Sequence, residues 1–462
     1  MPGSILVRNA AVATFNDRFK LLKDSCVYVE DGRFVKVGRP EQVRPLAVHP
    51  DIDIDGRDKL VMPGLVNTHV HLAQSLLRSA VPDDVTLLEW LTKWVWPLQG
   101  SFDAEDGLVS AQLTLLEMVK TGTTAFVATS INGRYGPQGI AEAVHESGLR
   151  AALGRQVMDI PAYASRKQAL PPGLREEAED SLRSFSELYR KWNGKDGRLW
   201  VWLSPRTPGA CSDRLFARLA ETLEERPTGL TMHLAEIRDD ISYFRARGTT
   251  PGKFLAKMGL LRPRTVYVHC VWLSEADVRL FARGGSTISH NPSSNMKLGS
   301  GIAPVAMMLK EGANVALGTD GGPSNDTYDM FRECKLASLL QKAALLDPKA
   351  LGHQQALRMA VTNGCRALDL EKVVGRVEER YWADFITIDL RGPHLAPSIN
   401  PLSNIVYSAS GADVSDAFVD GRALMLNRKV LTLNEDAIIA AAGRRATSLV
   451  ERAGVHRRSK AD

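Results

Sequence analysis

Between Pro63 and about residue 370 the chain sets a short apolar run beside an amphipathic stretch again and again, and this alternation constrains the fold more than any other feature. The runs are "GLVNTHVHL", "TTAFVATS", "AALGRQVMD", "LWVWLSPRT", "GLTMHLAE", "TVYVHCVW", "GSTISHNP" and "NVALGTD", eight in all. Each is strand length and lacks the 3.6-residue period. Between them lie helical patterns such as "DAEDGLVSAQLTLLEMVKTG" and "SEADVRLFARGG", several closed by glycine as helix C-termini prefer. Eight strands each followed by a helix is the count of a (β/α)8 TIM-type barrel, whose functional residues gather at the C-terminal strand ends. The pattern alone also fits a doubly wound sheet.

Both ends of the chain have a different texture. "ILVRNAAVATF" and "SCVYVEDGRFVKVG" alternate with a period of two, and Asp31-Gly32 is a hairpin dipeptide. Beyond residue 376, "ADFITIDL", "NIVYSAS" and "DVSDAFVDGRALM" again read as strands. The expected organisation is one β-sandwich domain assembled from residues 1–62 and 376–434, a barrel over 63–375, and a C-terminal helix with a basic tail over 435–462.

Composition bears mainly on partners. A net charge of +5 over 462 residues, with Lys and Arg dispersed, lacks the basic stripe of a nucleic-acid binder. No apolar run reaches the length of a membrane span, and no signal peptide is visible at "MPGSILVRNA". Five scattered cysteines without a C-x-x-C argue against a disulfide framework or a cysteine zinc site. These observations point to a cytoplasmic protein acting on a small molecule, without nucleic-acid or membrane partners.

The chemistry collects at the strand ends. His69 and His71 are two apart in a strand and so project from one face, where two imidazoles can share a metal. Hydrogen-bonded core histidines are the bland alternative for that pair. The theme recurs with His233, His269, His290 and Asp320, each closing a different predicted strand, and coincidence explains five such placements poorly. Imidazoles with a carboxylate suit one divalent transition metal, Zn2+ foremost, with Fe2+, Co2+ and Mn2+ also compatible. Glu236 lies three residues past His233, off the ligand face, where a carboxylate can carry a proton between water and leaving group.

Taken together, "MPGLVNTHVHL", "HLAE", "VHC", "SHNPSSNMKLGSGIAPV" and "LGTDGGPSND" resemble the amidohydrolase superfamily. The branch they resemble holds S-adenosylhomocysteine/methylthioadenosine deaminases, guanine deaminases and s-triazine hydrolases. The resemblance implies a metal held by His69, His71, His233 and Asp320, a proton shuttle at Glu236, and His269 polarising the attacked group or steadying the water. Asp320 could also take the water's proton. His290 would face the substrate, while Glu117 and Arg155 match positions that contact a nucleoside. The implied reaction is attack of metal-bound hydroxide on a trigonal carbon, in a homo-oligomer of two or more subunits.

Two departures bear on substrate. Where those deaminases resemble P-H-[SA]-P-Y, this chain has Pro205-Arg206-Thr207-Pro208-Gly209, and Ala128-Thr129-Ser130 replaces an Asp-Met-Tyr-like segment. Arg206 presents planar donors that suit a carbonyl, carboxylate or ring-nitrogen acceptor, with a salt-bridged scaffold role as the alternative. Trp90, Trp94 and Trp96 lie in "AQSLLRSAVPDDVTLLEWLTKWVWPLQ", which could form an apolar lid, Trp90 facing the substrate, or could simply pack in the core. The leading functional reading is hydrolysis of a non-peptide C–N bond: deamination, dealkylamination or dechlorination of a purine- or s-triazine-type heterocycle. A second is hydrolysis of xenobiotic ureas, carbamates or thiocarbamates such as phenylureas and molinate. A third, an inactive scaffold, predicts eroded ligand positions, and every expected position is filled.

Overall fold

The computed structural model describes residues 3–164, 166 and 169–455. A first group of strands, β1 (Ile5–Ala13), β2 (Leu21–Glu30), β3 (Arg33–Gly38), β4 (Ile52–Asp55) and β5 (Lys59–Pro63), opens the chain. The β2–β3 hairpin turns at Asp31-Gly32, where both residues have positive φ (49° and 76°), as a type I′ turn requires. Eight strands follow: β6 (Leu65–Val70), β7 (Thr123–Ile131), β8 (Arg150–Val157), β9 (Leu199–Pro205), β10 (Leu230–Leu234), β11 (Thr265–His269), β12 (Thr287–His290) and β13 (Asn314–Leu317). These coincide with the eight predicted runs, and each neighbour pair from β6 to β13 is parallel. Every residue of β8 is buried, which explains why such strands read as unbroken apolar runs.

The barrel closes where β13 returns to β6. Val70 bridges Asp320, and the Asp320 amide donates to the His69 carbonyl at 2.9 Å. Side chains stitch the same seam: Asn67 Nδ2 donates to Thr319 Oγ1 at 2.7 Å, and Thr68 Oγ1 to the Leu317 carbonyl at 2.9 Å. Two residues expected to bind one metal are thus fixed to each other through the backbone.

Strands β14 (Phe385–Asp389), β15 (Val414–Val419), β16 (Arg422–Leu426) and β17 (Lys429–Val430) come from the far end of the chain. They join the first group in a nine-stranded mixed sheet in which β14 pairs antiparallel with β5, so the second domain is indeed built from both chain ends. Its separate core includes Phe34, Phe385 and Phe418, the last two stacked at 4.4 Å between centroids. "NIVYSAS" is not a strand. Pro401–Tyr407 is a helix, because Asn400 caps it by accepting from the Ser403 amide at 3.2 Å and Pro401 takes the first helical position.

Helix Ala104–Lys120 begins at a reciprocal cap, the Asp103 side chain accepting from the Asp106 amide and Asp106 from the Asp103 amide. Buried Asp106 also receives Arg445 Nε at 2.7 Å and Arg452, which docks the last helix, Glu435–Ala453, on the barrel wall. The basic tail expected after it lies outside the described residues. Among the described residues no helix is long and apolar enough to cross a membrane. All five cysteines are free and buried.

One buried cation ties the domains together. Arg150, at the start of β8, pairs with Asp384 and Asp420 beside the terminal sheet. Removing one partner of a buried pair strands the other charge, so Arg150→Met is expected to cost about 3–5 kcal/mol. Urea denaturation checks this; a loss below about 1 kcal/mol would show the pair to be dispensable.

Candidate metal centre and substrate cavity

Each expected ligand leaves the end of a different strand, or the same face of one strand. His69 and His71 project together at the end of β6, His233 at the end of β10, and Asp320 just beyond β13. The backbone is bent to aim them: Ala235 (φ 50°), His269 (φ 69°) and Asp320 (φ 70°) adopt left-handed conformations that cost non-glycine residues about 1–3 kcal/mol each. Such strain persists where the surroundings over-determine it, and these three positions lie at the strand ends that carry the cluster.

The side chains converge closely. His69 Nε2 lies 3.1 Å and His71 Nε2 3.3 Å from Asp320 Oδ1, and His71 Nε2 lies 3.1 Å from His233 Nε2. Ligand atoms of His69, His71 and Asp320, and those of His69, His233 and His269, lie within 4.8 Å of one another. Burial pushes the His71 pKa down to about 3 and that of His233 well below its usual value, so both rings are neutral. Burial opposes ionisation of Asp320, but the His69 hydrogen bond and the electrostatic influence of the surrounding imidazoles outweigh it and hold the carboxyl well below its usual range. Two neutral imidazole nitrogens 3.1 Å apart are satisfied by one shared proton or one shared cation. With a carboxylate at their side, the donor set fits a divalent metal.

Around this cluster stand residues that orient it. Ser294 Oγ donates to Asp320 Oδ2 at 2.6 Å, and Asn295 Oδ1 lies 2.9 Å from His269 Nδ1. His269 Nε2 faces Glu236 Oε2 at 3.8 Å and Asp320 Oδ2 at 4.0 Å. Glu236 is held by its backbone amide donating to half-buried Asp240, 2.8 Å, and by Ser300 Oγ at 3.4 Å. Burial pushes the Glu236 pKa up to about 7.

A cleft of about 650 Å3, including space open to solvent, leads onto the cluster and is lined at its floor by His71, His233, Glu236, His269 and Asp320. Trp90 and Trp96 are buried in its wall, Trp90 opening a turn wound with i to i+5 hydrogen bonds (Trp90–Val95), a helix variant frequent at functional sites. Trp94 instead packs against the core.

Arg206 also lines the cavity with its neighbour Thr207, as do Tyr135 and Tyr163, whose positions the sequence did not flag. Three expected substrate contacts are absent from the lining. Glu117 pairs with Arg78 and accepts from the Tyr328 amide at 2.8 Å, and Arg155 grips Glu176 with both terminal nitrogens. His290 is fully buried, with neither ring nitrogen hydrogen-bonded among the described residues.

A model of the amidohydrolase family matches residues 60–424. The chain belongs to this family. The amidohydrolase is 38% identical over 97% of its length to the 5'-deoxyadenosine deaminase of Methanosarcina acetivorans, covering 99% of that protein. It is 37% identical, over 97% of its length and 99% of the relative, to the 5-methylthioadenosine/S-adenosylhomocysteine deaminase of Pelotomaculum thermopropionicum. Its fold superposes on an adenosine deaminase from Xanthomonas campestris with bound zinc at a TM-score of 0.89, with 28% identity over 96% of this chain and 98% of that one. The protein is thus a hydrolase of carbon–nitrogen bonds.

Proposed function

We propose that this amidohydrolase deaminates an amino-substituted heterocycle hydrolytically, exchanging ring C–NH2 for C=O and releasing ammonia, and that it works in a reducing cytoplasm. The observation that carries the reading is Glu236: a carboxyl poised near pH 7 at the floor of the cavity, beside His69, His71, His233 and Asp320, which would hold a divalent metal, Zn2+ first among candidates. The ion would supply a water of lowered pKa and a polarising charge. The relatives named for deamination of adenosine-type compounds support the same reaction class.

The chain's own residues divide the remaining work. Glu236 accepts a proton from the attacking water and returns it to the departing nitrogen, which a pKa near neutrality allows in both directions. His269 is oriented by Asn295, its Nε2 turned toward Glu236 and Asp320, where it steadies the reacting atoms. Asp320 stays ionised and can share the water's proton. Trp90 and Trp96 exclude bulk water from one wall.

Arg206 sets the substrate's polarity. The only hydrogen bond of its side chain among the described residues is from Nη1 to Gln156 Oε1, 2.9 Å, and it has no carboxylate partner there, while its guanidinium lies 5.7 Å from the Trp96 ring. A half-buried cation with spare donors favours an oxygen acceptor on the ligand, a charge-assisted bond worth about 1.5–3 kcal/mol. Purified enzyme is therefore to be offered 5'-deoxyadenosine, methylthioadenosine, S-adenosylhomocysteine, the pairs guanine/2-aminopurine and isoguanine/adenine, and an N-aryl urea. Ammonia from amino-heterocycles is the expected product, with the oxo-bearing member of at least one pair preferred about 30-fold and the preference lost in Arg206→Gln. Cleavage of the urea with no ammonia from any heterocycle would overturn the proposal.

A further inference from the structure

The charge at Arg206 is exposed to the cavity because a neighbouring acid is already spent elsewhere. Glu176, in the segment after β8, accepts four hydrogen bonds: two from Arg155, one from Gln156 Nε2 at 2.9 Å and one from the Gly133 amide at 3.0 Å. Arg155 is 2% exposed and also donates to the carbonyls of Ile131 and Gln156 and to Ser184 Oγ, so it cannot swing away. Arg155 and Glu176 cancel, leaving one positive charge for the three ionised groups, located at Arg206.

Gln156 connects the two halves of this arrangement. An amide presents a donor at one end and an acceptor at the other, and the acid Glu176 can receive only the donor. With Nε2 turned to Glu176, Oε1 must face the opposite way, and there it accepts from Arg206 Nη1. Gln156 is fully buried and has no freedom to turn over without losing both bonds. Were the amide reversed, its NH2 would confront a guanidinium, donor against donor.

We infer that Glu176 and Gln156 are positioning residues for substrate selection: Glu176 fixes the Gln156 amide, Gln156 aims the Arg206 guanidinium into the cavity, and Arg155 keeps the acid from neutralising it. The inference rests on Arg206 contacting an oxygen acceptor, as proposed above. It extends that contact to three residues, Arg155, Gln156 and Glu176, none of which lines the cavity. Arg155 thereby influences substrate choice without touching substrate, through the charge it removes from Glu176.

The test is a double-mutant cycle. Glu176→Gln is expected to lower kcat/KM for the preferred oxo-bearing compound about 10-fold, mainly through KM, and to change kcat/KM for its oxo-free partner by less than about 3-fold. In an Arg206→Gln background the same Glu176→Gln change is expected to do nothing further, since the residue being aimed is gone. Gln156→Met, which keeps the apolar volume, serves as the second route to the same result, and Arg155→Met is expected to reduce oxo preference by freeing the Glu176 charge. Additive losses in the double variant, or equal losses on both members of the pair, would overturn the inference and mark Glu176 as scaffold. If none of the heterocycles releases ammonia, the proposed reaction has failed, and the same cycle is then read in equilibrium dissociation constants for the oxo-bearing and oxo-free compounds. Non-additive loss of oxo preference there sustains the aiming role, and its absence overturns it.

Discussion

Glu236→Gln enzyme is expected to bind its substrate with a KM or Kd within a few-fold of wild type and to lose kcat by about 10³-fold or more. Glutamine keeps the size of the side chain and its contact with Ser300 Oγ, and leaves the backbone bond to Asp240 intact. It cannot carry a proton. Position explains why no neighbour takes over: His269 Nε2 stands 3.8 Å from Glu236 Oε2, but its other nitrogen is committed to Asn295, and Asp320 is held ionised by the surrounding imidazoles. Single-turnover ammonia release, with ligand binding measured in parallel, checks the split. Residual turnover above about a hundredth of wild type would remove Glu236 from the proton path.

His233→Ala is the second large effect. Its Nε2 is one of two neutral nitrogens brought within 3.1 Å, and the counter-charge at Asp320 remains when it is deleted. Metal content is expected to fall from about one ion per chain to below about a tenth, and activity by at least ~10³-fold. Chelator-treated wild type should regain activity on adding Zn2+, whereas the variant should not. Because a ligand that binds only the folded state raises stability by mass action, Zn2+ should also raise the melting temperature of wild type and leave that of His233→Ala nearly unchanged. Full metal occupancy in the variant would displace His233 from the ligand set.

The barrel was legible because parallel strands buried on both faces leave unmistakable apolar runs, and the convergence of His69, His71, His233 and Asp320 because histidines at strand ends are otherwise hard to explain. The two-residue spacing alone puts His69 and His71 on one face of an extended chain. Elsewhere spacing carried less. The apolar "IVY" of 401–407 is too short to separate strand from helix by period, and Asn400-Pro401 decided the matter locally. Arg155 and Glu117 occupy expected places along the chain, yet chain position cannot say which way a side chain turns, and each found an opposite charge outside the cavity. Tyr135 and Tyr163 come from different loops, with no mutual spacing to betray them.

The sheet made from both chain ends has a consequence for synthesis. Pro63 and Phe385 are ladder partners although 322 residues separate them. At about 5–20 residues per second a ribosome needs roughly 15–65 seconds to supply the second after the first. Throughout that interval the edge of β5 is bare, and Arg150 in the barrel wall lacks both carboxylates that later receive it. The domain whose strands are first to leave the ribosome is therefore among the last to close, and a chain cut short before residue 385 carries an open sheet edge ready to pair with another copy.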